Sequence, residues 1–515
     1  MILMTETEKQ LNNKIHKLEK ELALLQLKNQ RSEEAYNNLL YALKEFQRNR
    51  FGSKSERFVD NNQGDLFAVE TAAVEDSGDN IINIESYKRS KNKKRKFPEE
   101  LPRKELIIKA KDRICSCGKE KQLIRYETTE LLNYKPAVFE VIVQKREVLA
   151  CCCGRGSITT AANPPRILPK VFVTESLLAY LIVSKLHDRQ PLYHLEKKLN
   201  DRFGIEISRN NQSRWFIDCA KALQPLINLM KDQVIDYDVA SADATSLQVL
   251  DEPERKATTK SYWYCIRGGP PNKKVILYDY NAEKHKLFLM NWFAGFKGYI
   301  HVDAQNIFDE LGAQDDVDLI YCHAHARRKF EAITKQTKTD GLAKQAMVFY
   351  RKLYRIEKQT KNMDVAERYA YREEHANPLL KNHQKWLEAN YPTLLPKSPL
   401  GKAFAYSIKQ FDGLNKYLED GRLEIDNNGT EREIKPGVIA RKNFLFAKSV
   451  AGARALCVHM SLIRTALLHG FDPYKYYVAV MEKIPYCKIV NDYEALLPWN
   501  IELKKVRESK AIAVA

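Results

Sequence analysis

From Leu11 onward the apolar positions step by four and three in alternation, through Ile15, Leu18, Leu22, Leu25, Asn29, Ser32, Tyr36, Leu39, Leu43 and Phe46. A seven-residue repeat with Glu, Lys and Gln between its seam positions predicts a coiled coil over residues 1–57. Asn29 sits at an a-type position, where a buried amide fixes register and favours two strands, so a homodimer is expected. The competing reading is a single amphipathic helix packed on its own protein. The pattern lapses over 58–100, which is acidic around Glu70 to Asp79 and then basic, with seven Lys or Arg in the nine positions Lys88 to Lys96. Such a stretch has little to pack and reads as a linker. Its Lys93, Lys94, Arg95 and Lys96 either neutralise phosphates or form a solvated charge run.

Period-two alternation returns at Val138 to Lys145, inside a cysteine-rich β segment over 101–160. Helical spacing follows over 161–235: a helix at Leu192 to Phe203, a break at Gly204, and a second helix capped by Ser208. That is a helix-turn-helix outline, and a helix opening with Arg209, Asn210 and Gln212 offers side chains that read base edges. Short β-prone runs at Val239 to Leu250, Ser261 to Arg267, Lys274 to Asp279 and Gly298 to Asp303 lead through Ile320 to Phe330 into a basic helix. These runs make up 236–330. Residues 331–420 carry helical pattern alone, 421–470 close the α/β part, and 471–515 form a C-terminal segment. The fold class is multidomain α+β.

Charge narrows the partners. The chain has 515 residues, with 84 Lys and Arg against 66 Asp and Glu, a net +18, which favours a polyanion such as nucleic acid. Its longest apolar run, Leu177 to Val183, has seven residues where a membrane span needs about 20, so a cytoplasmic protein without a membrane role is expected. Cys115-x-Cys117 and Cys151-x-Cys153 would together make one tetrahedral, structural Zn²⁺ site. Cys152 could replace either neighbour, and the alternative is a hairpin with free buried thiols.

Three carboxylates stand out. Asp243 lies within a β-run, Asp303 at the end of another, and Glu431 follows Asn427 and Asn428. Acids from separate elements of a β-meander and a helix suit two Mg²⁺ (or Mn²⁺) ions, which want carboxylate oxygens and can act on a phosphodiester. Equally, Asp243 could cap or pair, and Asn428-x-x-Glu431 could be a capping box. His323 and His325 have metal-ligand spacing if their segment is extended.

Ala242-Asp243-Ala244-Thr245, Gly298-Tyr299 with Asp303, Cys322-His-Ala-His-Ala-Arg-Arg-Lys-Phe330, and Glu424-Ile-Asp-Asn-Asn428 with Glu431-Arg432, Pro436 and Arg441 to Phe446 resemble, in that order, the transposases of the insertion sequence 66 family. Phe51-Gly52 with Ser55-Glu56, Pro191-Leu192-Tyr193 and Leu497-Pro498-Trp499-Asn500 are similar to the remaining blocks. The resemblance implies an RNase H-like catalytic core interrupted by a helical insertion. It implies an Asp243, Asp303, Glu431 triad that cuts and joins DNA at element ends, with Glu424, Asp426 and Glu433 competing for the third place. It also makes the two histidines part of a basic helix, structural or facing DNA. Ala244 stands where members commonly have Glu, His323 where many have Trp, and each cysteine knuckle is one residue short. Arg327, Arg328, Lys329, Arg432, Lys435, Arg441 and Lys442 are the expected phosphate contacts. Partners are element ends and target DNA, with accessory proteins of the same element as further candidates. The alternative function is a domesticated DNA-binding protein or repressor that no longer cuts.

Overall fold

The computed structural model describes residues 139–144, 148–149, 159–160, 162–282, 286–304, 306–336 and 341–505. The zipper, the basic run at Lys93 to Lys96, and Cys115, Cys117, Cys151 and Cys153 fall outside the described residues. The chain divides into two units. In the smaller, residues 55–163, β1 (Val148–Leu149) pairs antiparallel with β2 (Thr159–Thr160). Residues 139–144, whose alternation predicts a strand, join no ladder among the described residues and leave Val141, Ile142 and Val143 exposed. Strand propensity expresses itself only where a neighbouring strand and a buried face are present.

Among the described residues of the larger unit the first helices are α1 (Glu175–Leu186), α2 (Leu192–Phe203) and α3 (Arg209–Ile235). Gly204, at φ 64°, ends α2 in the left-handed conformation that glycine adopts without strain, and Ser208 Oγ accepts the Asn211 N–H at 3.3 Å to start α3. The helix α3 runs to the end of the expected helical segment, straight through Pro225. Its stripe of Trp215, Cys219, Leu223, Leu226, Met230 and Val234 is buried, and that packing outweighs the hydrogen bond lost at proline.

Five strands form the main sheet: β3 (Val239–Asp251), β4 (Lys260–Gly268), β5 (Val275–Asn281), β6 (Gly298–Val302) and β7 (Val317–Tyr321), with α4 (Lys286–Trp292) between β5 and β6. The strand order is β5-β4-β3-β6-β7. On one side of β3 the pairing is antiparallel through β4 to β5, and on the other it is parallel through β6 to β7. β3 is therefore the central strand, paired on both edges, as its buried Ala240, Ala242, Leu247 and Val249 require.

After β7, α5 (His323–Thr334) enters a helical layer of α6 (Leu342–Gln359), α7 (Val365–Asn390), α8 (Pro399–Lys409) and α9 (Phe411–Asn415). Phe330, Tyr350, Leu353, Leu380, Phe404 and Tyr417 make a core of its own there. The chain then returns to the sheet as α10 (Asn428–Phe444), β8 (Ala447–Ser449, parallel to the far end of β3) and α11 (Val450–Leu468), and ends in α12 (Pro473–Lys483) and α13 (Val490–Glu494). Among the described residues α11 alone is long and apolar enough to cross a membrane. It is largely buried, against β5 and α3. Ser461 and Thr465 on α11 accept the free N–H groups of Tyr278 (2.8 Å) and Ile276 (3.1 Å), so the open edge of β5 is closed by a helix.

Burial also fixes the protonation of the core histidines. His383 stacks on Phe349 with ring centroids 3.5 Å apart, is 6 % exposed, and is pushed by burial from 6.5 down to about 3. The unfolded chain takes up a proton there below pH 6.5 that the folded chain refuses, so this histidine costs stability as pH falls from 6.5 toward 3. His383→Phe should therefore retain about 2 kcal/mol of stability that the wild type loses between pH 7 and pH 5. Urea titrations at the two pH values measure the difference, and equal losses in both proteins would contradict it.

Candidate active site

The parallel pairing of β3 with β6 aligns the first two acids. Val239 is level with Tyr299 and Ser241 with His301, an offset of 60 residues, and Asp303 follows directly after the end of β6, on the line that this offset would extend toward Asp243. Neighbouring strands lie about 4.8 Å apart, so the two carboxylates leave adjacent backbones side by side. Asp303 is 9 % exposed, and Asp243 Oδ1 accepts the N–H of Ala244 at 2.7 Å. Burial, followed by the charge of Asp303, pushes the Asp243 carboxyl up to about 7; Glu431 adds to the rise, and the Ala244 N–H and Arg328 offset part of it. Both other acids thus lie within electrostatic reach of Asp243.

Glu431 arrives there because the N-terminus of α10 is fastened to β3 and α5. Asn427, 1 % exposed, donates from Nδ2 to the carbonyl of Ala242 (3.0 Å), and its backbone N–H points to Cys322 Sγ (3.2 Å). Thr430 Oγ1 donates to Ser241 Oγ (2.7 Å), and the His323 N–H reaches the carbonyl of Ile425 (3.2 Å). The Arg267 guanidinium of β4 lies directly over Gly429 at this helix end. One residue past Thr430, in the first helical turn, a carboxylate also gains from the helix dipole.

The other acids of this block are engaged elsewhere. Glu424 is exposed; Asp426 Oδ2 accepts from Tyr354 Oη (2.9 Å) and Asn428 Nδ2 (2.7 Å); Glu433 pairs with Arg464 (2.7 Å). Glu431 instead takes a two-pronged grip from Arg328, Nη2 to Oε2 at 2.6 Å and Nη1 to Oε1 at 3.1 Å, with His325 Nδ1 at 3.6 Å from Oε1. Sequence reasoning treated Arg328 as a phosphate contact and missed this partner.

The two histidines part company. Their segment is helical, so residues two apart point to different sides: His323 is buried and donates to the Leu414 carbonyl at 2.9 Å, while His325 turns to Glu431. A shared His-x-His metal site, which needs extended backbone, is not formed. Among the described residues, Cys322, His325 and Glu431 bring one ligand atom each within 4.8 Å of one another and could hold a cation. Burial, then Asp426, pushes the Cys322 thiol up to about 12, so its thiolate is hard to form and the carboxylates are the better donors.

The expected DNA-facing groups divide as well. Arg209 and Asn210 are exposed at the start of α3. Gln212 corrects the expectation: it is 2 % exposed and donates to the Ile207 carbonyl at 2.9 Å, because the fourth helical position has turned inward. Arg327 packs over Tyr354 and reaches Glu331, Lys329 lies 4.3 Å from the centre of the Tyr406 ring, and Arg441 reaches Ser246 Oγ at 3.3 Å. Arg432 and Lys442 are exposed along α10 and Lys435 is half-buried.

This region coincides with a known family. The family model described as "Transposase IS66 family" matches residues 170–455, a span that contains all three acids. The chain belongs to the IS66 transposase family. Two further models fit its flanks: "IS66 C-terminal element" over 461–499 and "Transposase C of IS166 homeodomain" over 38–106. Of the curated relatives, the "Uncharacterized protein y4qI" of Sinorhizobium fredii is 30 % identical over 503 residues, covering 94 % of this chain and 92 % of that protein. From the same organism, "Uncharacterized protein y4jD" is 28 % identical over 459 residues, covering 87 % and 89 %. A transposase-type function follows from the family.

The anchoring of α10 can be tested directly. Asn427→Ala strands the buried Ala242 carbonyl and should cost about 1–3 kcal/mol in urea denaturation, whereas Glu424→Ala, at an exposed position, should stay within about 0.5 kcal/mol. An unchanged midpoint for Asn427→Ala would contradict this account of how Glu431 is positioned.

Proposed function

We propose that the protein is a DNA transposase that cuts the ends of its element and joins them to target DNA, with Asp243, Asp303 and Glu431 as the catalytic acids. The observation that supports this reading is that Asp303, next to the end of β6, and Glu431, on the first turn of α10, both lie close enough to Asp243 on β3 for their charges to raise its carboxyl. Three antiparallel strands continued by two parallel ones, with the first acid on the central strand, support an RNase H-like core, and α6 to α9 support the insertion.

Mg²⁺ or Mn²⁺ fits this donor set: the groups are hard oxygens, and the Arg328 guanidinium already stands as a cation on one of them. Bound there, two such ions would supply the positive charge that activates an attacking oxygen and stabilises a leaving one at phosphorus. The chain's own work is geometric. Asp243 on β3 and Asp303 at the end of β6 hold fixed positions, Asn427 and Thr430 fasten the helix end that carries Glu431 against β3, and exposed Arg432 and Lys442 attract the strand to be cut. Hydrolysis of the end phosphodiester leaves a 3′ hydroxyl, and attack of that hydroxyl on a target phosphodiester forms one such bond and breaks another, so joining needs no outside energy source. Zn²⁺ at Cys115, Cys117, Cys151 and Cys153 and dimerisation through the seam from Leu11 to Phe46 complete the reading.

Asp243→Asn, Asp303→Asn and Glu431→Gln should each lower Mg²⁺-dependent nicking and joining of labelled element ends on the order of a thousandfold while DNA binding persists. Glu424→Gln is the control, since Glu433 is tied to Arg464 and is not a neutral site. A variant of any of the three acids that still cuts at the wild-type rate would remove that residue from the proposed site. The same preparations should sediment as dimers, and a monomer would rule out the zipper.

A further inference from the structure

Arg328 occupies a seat built for it. Its side chain is 46 % exposed, yet it grips both oxygens of Glu431 and donates from Nη2 to Asn428 Oδ1 at 3.2 Å. Asn428 is fixed in turn by Asp426, which accepts its N–H (3.1 Å) and its Nδ2 (2.7 Å), and Asp426 accepts from Tyr354 on α6. The neighbouring cations are turned away, Arg327 to Glu331 and Lys329 to Tyr406. A carboxylate with both oxygens held by one guanidinium keeps spare lone pairs, but a divalent cation that used them would stand against the guanidinium's positive charge.

We propose that Arg328 is an exchangeable counterion: it neutralises Glu431 until a divalent cation takes that carboxylate, and the released guanidinium then grips a phosphate oxygen of the bound DNA strand. The proposal rests on the reading of Asp243, Asp303 and Glu431 as a metal site. The chemistry favours arginine here, since the fork that fits a carboxylate also fits a phosphate, and a half-exposed side chain can swing from one to the other. Metal and DNA should then bind cooperatively, because each is easier to accept once Arg328 has moved.

The test uses the full-length protein with Mn²⁺ alone, free Mn²⁺ being counted by electron paramagnetic resonance. Arg328→Gln should tighten Mn²⁺ binding roughly fivefold, the scale of a half-exposed ion pair that no longer has to open, while Lys329→Gln should change it less than about twofold. Unchanged or weaker binding in Arg328→Gln would overturn the proposal, and so would equal tightening in Lys329→Gln, which would reveal a general charge effect. Asp243→Asn reports on the underlying site separately: if Mn²⁺ binding survives it intact, the metal-site reading fails whatever Arg328 does. In fluorescence anisotropy with Ca²⁺ in place of chelator, the wild type should gain affinity for a duplex element end and Arg328→Gln should not. An equal gain in both would show that the guanidinium does not pass to phosphate.

Discussion

Three carboxylates of like charge repel when they share one partly buried corner, and a protein that gathers them must hold them there by other means. Here the holding is done by backbone. Asp243 stands on β3 and Asp303 directly after the end of β6, and the register of these adjacent strands cannot slip without turning a whole row of buried side chains to the wrong face. Glu431 is held by a helix end whose buried Asn427 would lose its partner at Ala242 if the helix drew back. The raised Asp243 carboxyl, shifted by burial first and by Asp303 next, is the visible cost of that assembly.

Much of the surrounding architecture serves this corner. Alpha-helical packing behind the sheet, with α11 against β5 and α3, keeps β3 central and both of its edges paired. The helical layer from α6 to α9 touches the corner through Tyr354 and Asp426, so the insertion is bonded to the loop that leads into α10. Arg328 supplies the positive charge that a cation would otherwise bring. In the proposed reaction, then, fixed strands set two of the acids and a bonded helix end presents the third, before any substrate arrives.

Asp243 and Asp303 stood out as candidates because carboxylates in β-prone runs are unusual, and Glu431 because its block follows a family order. What joins them was not legible. Asn427 meets Ala242, and Thr430 meets Ser241, across nearly the whole catalytic segment, and no local pattern announces a hydrogen bond between residues so far apart in sequence. Gln212 was misjudged for a simpler reason. Its type suits base reading, but at the fourth helical position it faces the core, and helix phase overrides residue type. The two helices around Gly204 were foreseen from a glycine and a serine cap, and the buried stripe of α3 carries it through Pro225 to the end of the expected helical segment.

The central claim is that Asp243, Asp303 and Glu431 together bind the ions that act on DNA. Anomalous diffraction from crystals of the protein grown with Mn²⁺ and a nicked element end tests it most directly. The account predicts anomalous density between Asp243 and Asp303 and beside Glu431, with Arg328 turned from Glu431 toward phosphate. Manganese bound only at Cys322 and His325, or away from Asp243, would contradict it.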